Sequence, residues 1–355
     1  MQRKISEKYL SKSFWGNKKV LITGINGFIG TNLAKILISK NAEVIGVSNN
    51  RDKDISLKFE NILDKIRYHR VDISNNKALN KVLKKYRIEI CFHLAAQPDV
   101  NIARKNPFQT FESNIKGTYN LLDGLRKSKV IKSIIVASSD KAYGEYPLTR
   151  LPYKEKYDLR PKYPYDVSKA CADLISKAYS SEIFKLPIIT TRFSNIYGPG
   201  QLNFTALVPD CILALLKYRK FVPRGNGTNK RDFLFVNDVC ELYLCLSYNL
   251  FKDSKLSGEV FNAGTNKGYS VDSIIKRLCL LKNESKLYKD IKSSYVKRLQ
   301  IGEIPNQFMS YAKLKKYFGW KPRYSIKEGL QITIEWYEKF LKKHRKSKLL
   351  RDLKS

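Results

Sequence analysis

The chain has 355 residues, 43% hydrophobic and 28% charged, so it holds enough apolar material for a large core and is not a disordered chain. No apolar run approaches the ~18–20 residues that cross a bilayer, and residues 1–19 lack the apolar stretch of a secretory signal. Six scattered Cys and three His, with no CxxC pair, argue against a disulfide framework or a zinc site, so a reduced cytoplasmic protein without metal is expected.

The formal net charge is +35, with +5 in residues 1–19 and +7 in residues 339–355. Such a charge suits nucleic acid or an acidic membrane surface. Basic and aromatic residues do not interleave in an RNA-binding motif, however. A Lys-rich solvated surface around an anionic substrate is the simpler expectation, with neither nucleic acid nor membrane as partner.

In chain order, residues 1–17 read as an N-terminal arm. Residues 19–23 are a short apolar run closed by Gly24, the pattern of a buried strand. Helical spacing follows over 28–40, then strands over 43–47 and 67–71. A helix at 77–86 leads to a strand at 89–94, a helix at 109–127 to a strand at 133–137, and a helix at 165–184 to a strand at 188–192. This alternation predicts an α/β fold in which residues 18–195 form a doubly wound parallel Rossmann sheet. Beyond Tyr197-Gly198-Pro199-Gly200 the pattern becomes irregular. Helices are expected at 205–219, 271–281 and 326–343, and a strand at 259–263. Residues 196–343 read as a smaller α/β substrate-binding lobe, with segments around 230–263 returning to the first domain, and 344–355 as a basic tail.

Gly24-Ile25-Asn26-Gly27-Phe28-Ile29-Gly30 lies between the first strand and the first helix. Glycines there permit a tight turn and let a pyrophosphate approach the backbone, and the helix N-terminus supplies free N–H groups. The segment is therefore expected to bind a dinucleotide. An acid at the end of the second strand would favour NAD. Ser48-Asn49-Asn50-Arg51 stands there instead, and Arg51 could accept a 2′-phosphate, so NADP stays open beside NAD. Asp72, in Val71-Asp72-Ile73, is the candidate adenine-side carboxylate or the cap of the next helix.

Tyr165-Asp166-Val167-Ser168-Lys169 places Tyr165 and Lys169 on one helix face. The Lys169 ammonium is expected to lower the Tyr165 phenol, making it a base for a substrate hydroxyl. Ser139, in Ser138-Ser139-Asp140-Lys141, follows the fifth strand at the sheet end where ligands bind.

With its GxxGxxG spacing, the chain resembles the extended, sugar-nucleotide branch of the short-chain dehydrogenase/reductases. Asp140-Lys141 after the active-site Ser resembles CDP-glucose 4,6-dehydratases, and the resemblance runs from Phe14 to Tyr337. It implies cofactor contacts at Leu94, Ala95 and Ala96, in His93-Leu94-Ala95-Ala96-Gln97. It further implies support of the active-site helix by Asn114, substrate contact at Asn195 and pyrophosphate pairing by Arg231, in Arg231-Asp232-Phe233. Glu303-Ile304-Pro305-Asn306-Gln307 resembles a further element of CDP-glucose dehydratases. Asp166 stands where those enzymes usually carry Ser. The implied reaction begins when Tyr165 takes the O4 proton as C4 gives up its hydride. Lys141, or a water it holds, then takes the C5 proton, and Asp140 protonates the leaving C6 hydroxyl. A 4-epimerase is the enzyme alternative, and a non-catalytic RNA-binding Rossmann protein the alternative from another class. The resemblance also implies NAD as the cofactor and a homodimer joined through helices 109–127 and 165–184.

Overall fold

A computed structural model of the chain describes residues 7–49, 54–296 and 303–345. Arg51 and the basic tail from residue 346 lie outside the described residues. The strands are β1 (Lys19–Thr23), β2 (Glu43–Ser48), β3 (Arg67–Arg70), β4 (Ile90–His93), β5 (Ser133–Ala137), β6 (Ile188–Phe193), β7 (Asn195–Tyr197), β8 (Lys230–Arg231), β9 (Phe233–Phe235) and β10 (Val260–Ala263), followed by two-residue strands at Tyr269–Ser270 and Asn306–Gln307. Seven of them form one parallel sheet in the order β10-β6-β5-β4-β1-β2-β3. The winding direction reverses between β1 and β4, which opens a crevice at their carboxyl ends.

Apolar runs in the strands are buried on both sides by helices. Phe28–Ser39 and Val236–Lys252 cover one face, around Leu33, Phe92 and Tyr243. Asn76–Lys85 and Gly117–Leu125 cover the other around Leu79, Leu121 and Ile134, joined by Ile175 and Tyr179 of Pro164–Ser180. A second core, with Cys211, Leu278 and Tyr337, lies among helices Leu207–Leu215, Val271–Leu281 and Ile326–Lys343. Ser325 and Glu328 start the last of these with a reciprocal capping box.

Three features depart from the sequence reading. The described part of the expected arm is not free: Trp15 is fully buried in the first core and its Nε1 donates to Tyr9 O at 2.6 Å. The expected helix 109–127 is interrupted. Pro107–Phe111 and Gly117–Leu125 flank a π turn over Glu112–Lys116, where the extra residue sets Asn114 inward. The chain also crosses between lobes repeatedly, because Leu314, Phe318 and Trp320 belong to the first core and the helix after them to the second.

Candidate active site

At the end of β1 the chain turns back through Gly24, whose φ is +72°. A Cβ there would lie 2.9 Å from the Ala95 backbone, and one on Gly30 would collide with Gly24 O. Helix Phe28–Ser39 can therefore start directly against the turn. Its N-cap, Gly27, makes no side-chain cap, which leaves the first N–H groups facing the crevice. This cradle fits a dinucleotide pyrophosphate.

Asn26 accepts from Ser48 Oγ at 2.6 Å and donates to Asp54 Oδ1 at 3.2 Å. Asp54, 8% exposed, is a carboxylate that sequence reasoning missed; a second acid shortly after the β2 end was the available signal. Asp72 accepts from Ser74 N at 2.8 Å and from Asn49 Nδ2 at 3.4 Å, while Asn75 caps the following helix. Asp72 is thus not that helix's cap. Leu94 N and Ala95 N both donate to Thr23 Oγ1 at 3.2 Å, pinning the loop after β4. His93 lies between Thr23 and Thr118, and burial pushes it down to about 3, so it is a neutral structural group.

Beyond β5, Ser139 Oγ donates to Asp140 Oδ1 at 3.0 Å and accepts from Lys141 N at 3.2 Å, opening the single helical turn Asp140–Tyr143. Tyr165 and Lys169 stand one turn apart on helix Pro164–Ser180. Asn114 donates to Ser168 Oγ at 2.9 Å and accepts from Gln97 N at 2.7 Å, tying that helix to the loop after β4. Lys169 Nζ donates to Ala137 O at 2.9 Å, and burial lowers it to about 8.

The phenol of Tyr165 departs from the sequence expectation. Burial and the Asp140 carboxylate push it up, outweighing a hydrogen bond with Ser139. The Lys169 amine is engaged with Ala137 O instead of lowering the phenol. Asp140 is 4% exposed and raised by burial against the pull of Lys141. Lys141 is lowered by burial and then by Arg231, and raised by Asp140, Glu303 and Asp166. Asp140 and Lys141 therefore belong to a buried charge cluster and are not a surface ion pair.

Arg231, 8% exposed, donates to Glu303 Oε2 at 2.7 Å and to Pro305 O at 3.1 Å. The neighbouring Asp232 accepts from Thr265 Oγ1 at 2.6 Å and Met309 N at 3.1 Å, and burial pushes it up to about 7. It fixes the segment that carries Arg231. Sequence reading gave no role to Asp232, Glu303 or Asp166. Gly24, Asn26, Gly27, Phe28, Ile29 and Gly30 line one end of a single cavity of about 1150 Å³. Asp72, Ile73, Leu94, Ala95 and Ala96 continue its wall. Ser139, Asp140, Lys141, Tyr165, Lys169, Asn195 and Arg231 complete it, so of the site residues expected only Arg51 is not placed.

Among the described residues no cluster of His, Cys, Asp and Glu could hold a metal ion, and no helix is long and apolar enough to cross a membrane.

A glycine cradle that opens onto Ser, Tyr and Lys at the carboxyl ends of a parallel sheet, under a second lobe, is the arrangement of extended short-chain dehydrogenase/reductases. A family model described as GDP-mannose 4,6 dehydratase matches residues 21–333. Human dTDP-D-glucose 4,6-dehydratase is 32% identical over 90% of this chain and 90% of its own length. UDP-glucuronate 4-epimerase of Thermodesulfobacterium geofontis is 30% identical over 89% of this chain and 95% of its own. Among solved structures, dTDP-glucose 4,6-dehydratase of Bacillus anthracis in complex with NAD matches with TM-score 0.78 and 28% identity, over 92% of this chain and 98% of that one. UDP-glucose 4-epimerase of Thermotoga maritima with UDP-glucose matches with TM-score 0.80 and 28% identity, over 91% and 99%. The chain belongs to the GDP-mannose 4,6-dehydratase family, within the NAD-dependent sugar-nucleotide dehydratases and epimerases.

Proposed function

We propose that this enzyme is a sugar-nucleotide 4,6-dehydratase, converting an NDP-hexose of the CDP-glucose kind to a 4-keto-6-deoxy sugar with release of water. The observation that carries the reading is the Asp140–Lys141 pair, set on the cavity wall beside Tyr165 and bonded through Ser139. An epimerase has no water to expel and gains nothing from a buried acid at this place.

The cofactor of this reading is NAD, held by Gly24, Gly27, Gly30 and the Asp72 wall, as the NAD complex of the Bacillus anthracis relative supports. When bound it would accept the C4 hydride and later supply one to C6. The chain's own residues manage protons. Tyr165 takes the O4 proton as its phenolate, a form that the positive charge carried by the oxidised cofactor would favour against burial. The 4-ketone then acidifies C5–H, whose proton goes to Lys141 or a water it holds. Asp140, favoured in its protonated form by burial, gives its proton to the departing C6 hydroxyl. A neutral Asp140 has a second effect: it removes the negative charge that, after burial, raises Tyr165. Arg231 and Asn195 hold the diphosphate side of the substrate. The same reading puts the enzyme in the cytoplasm as a homodimer joined through segments 109–127 and 165–184, where Tyr119 and Leu174 are exposed at 40% and 60%.

Mass spectrometry of the product of a nucleotide-sugar panel tests the reaction. The expected product is one water lighter than its substrate. Asp140→Asn should still oxidise C4 while water loss slows by the ~10²–10⁴ that a general acid contributes. An isomer of unchanged mass, made as fast by Asp140→Asn, would replace this reading with the epimerase.

A further inference from the structure

One buried carboxylate, which acts on the charged end of the cavity without lining it, has no part in the chemistry above. Asp166 follows Tyr165 in the first turn of helix Pro164–Ser180 and is 3% exposed. That helix packs on the turn Asp140–Tyr143, so Asp166 and Lys141 come from two elements in contact. Each side chain feels the other's charge. The other charged groups facing Lys141 are Asp140 on its own turn, Arg231 on β8 and Glu303. Besides Lys141, Asp166 faces Asp140, Glu303 and Arg104 of helix Val100–Lys105. Arg104 leans over the Tyr163 ring at 5.9 Å, and its buried Nη2 has no hydrogen-bond partner among the described residues.

The three carboxylates around Lys141 are not equivalent. Glu303 is bonded to Arg231 at 2.7 Å, and a substrate diphosphate would compete for that guanidinium. Asp140 accepts from Ser139 at 3.0 Å and must itself be protonated to act as the acid. Neither can serve as a fixed counter-charge while substrate turns over. Asp166 carries no such duty, and its helix turn is locked through Ser168 to Asn114.

We propose that Asp166 is a positioning residue of the reaction, whose buried charge balances the ammonium formed when Lys141 takes the C5 proton. The inference rests on the dehydratase reading. In the step concerned, the C5–H bond breaks and its electron pair moves into the enolate of the 4-ketone, while the proton goes to Lys141 Nζ. After the C6 hydroxyl has left as water with the proton of Asp140, the ammonium can return its proton to C5.

The electrostatics support the assignment. Burial and Arg231 push Lys141 down and so favour the free amine. A neighbouring carboxylate acts the other way and makes that amine a stronger base. Asp166 itself is pushed up to about 6, mainly by burial, so it is ionised at neutral pH and loses its charge below that point.

Competitive labelling of Lys141 with acetic anhydride across a pH series, read by peptide mass spectrometry, measures the amine without using activity. Asp166→Asn should move the labelling midpoint to lower pH and move the acid limb of the kcat profile with it. It should also lower kcat by roughly tenfold, a part of the ~10²–10⁴ of a general base. Asp166→Glu should restore the midpoint, and the Asn variant and wild type should converge below about pH 6, where Asp166 is already neutral in wild type. An unmoved midpoint in both Asp166→Asn and Asp166→Ser, at wild-type dinucleotide content, overturns the proposal. A moved midpoint with an unmoved kcat profile also overturns it. Product mass keeps the two readings apart. A product one water lighter with an unmoved midpoint sinks the role of Asp166 alone. A wild-type isomer of unchanged mass sinks the dehydratase reading and this role with it.

Discussion

At one end the cavity is shaped by the side chains that Gly24 and Gly30 lack; at the other it is lined by the charges of Asp140, Lys141, Arg231 and Glu303, drawn from three separate segments, with the buried charge of Asp166 acting on Lys141 from a fourth. The first end is a steric fit to the backbone, and an added carbon meets atoms that cannot move aside. The second is a balance of desolvation against neighbouring charge, which pH, substrate binding and single substitutions shift by degrees. Changes at the cradle should therefore be all-or-none and indifferent to pH, and changes at the charged end graded and pH-dependent.

The largest effect tests the steric end. Gly30→Val forces methyl groups towards Gly24 O and the Ile25 backbone, and should abolish bound dinucleotide after denaturing extraction. Overpacking of this kind also costs about 1–3 kcal/mol of stability, readable as a lower Tm. Dinucleotide retained at wild-type content would erase the contrast. Next comes Arg231→Ala, which should raise KM for the nucleotide sugar by the equivalent of about 1.5–3 kcal/mol, the worth of a charged hydrogen bond. Glu303→Gln sharpens the same point in the opposite direction: it loosens the competing partner at 2.7 Å and should lower KM several-fold. An unchanged KM in both would mean that Arg231 does not meet the diphosphate.

A pH profile reads the graded behaviour directly. Burial lowers Lys169 to about 8, so its ammonium is present below that pH and lost as pH rises through it. If that cation contacts the bound cofactor, as the family resemblance implies, kcat/KM should fall above about pH 8, by at most roughly tenfold per unit; a flat profile through pH 8 would show that a charge already idle toward Tyr165 has no part in turnover. The smallest effect is expected from deleting residues 346–355. If the +35 is a solvated surface, turnover and cofactor content should be nearly unchanged, and RNA binding weak and lost at moderate salt. Salt-resistant, sequence-selective RNA binding by the full chain would overturn that view.

The same division explains what could be read from the sequence. Strands 19–23 and 133–137 and helices 271–281 and 326–343 were visible with their boundaries, because burial of an apolar run or stripe leaves a periodic trace. The cradle was visible because glycine spacing is itself the requirement. The π turn at Glu112–Lys116 was hidden, since one extra residue barely disturbs a helical period. Trp15 was hidden because nothing in a short basic segment announces that its rings, Tyr9, Phe14 and Trp15, pack into a core. Arg231 was found from its motif, but its partner Glu303 lies 72 residues away, and no local pattern joins them. Asp166 was read as a departure from a motif; its neighbour across the contact, Lys141, comes from a different element.

The crossing of the chain between lobes bears on how the enzyme is made. The first core is not complete until Trp320 is present, and the second not until Leu341. A ribosome therefore releases almost the entire polypeptide before either hydrophobic core can close. Until then the Rossmann strands, including the edge later covered by β10, face the cell with their apolar surface open. A chain ended early, even beyond the last active-site side chain, is left without the second core's final helix, and its fate is aggregation or proteolysis, not partial activity.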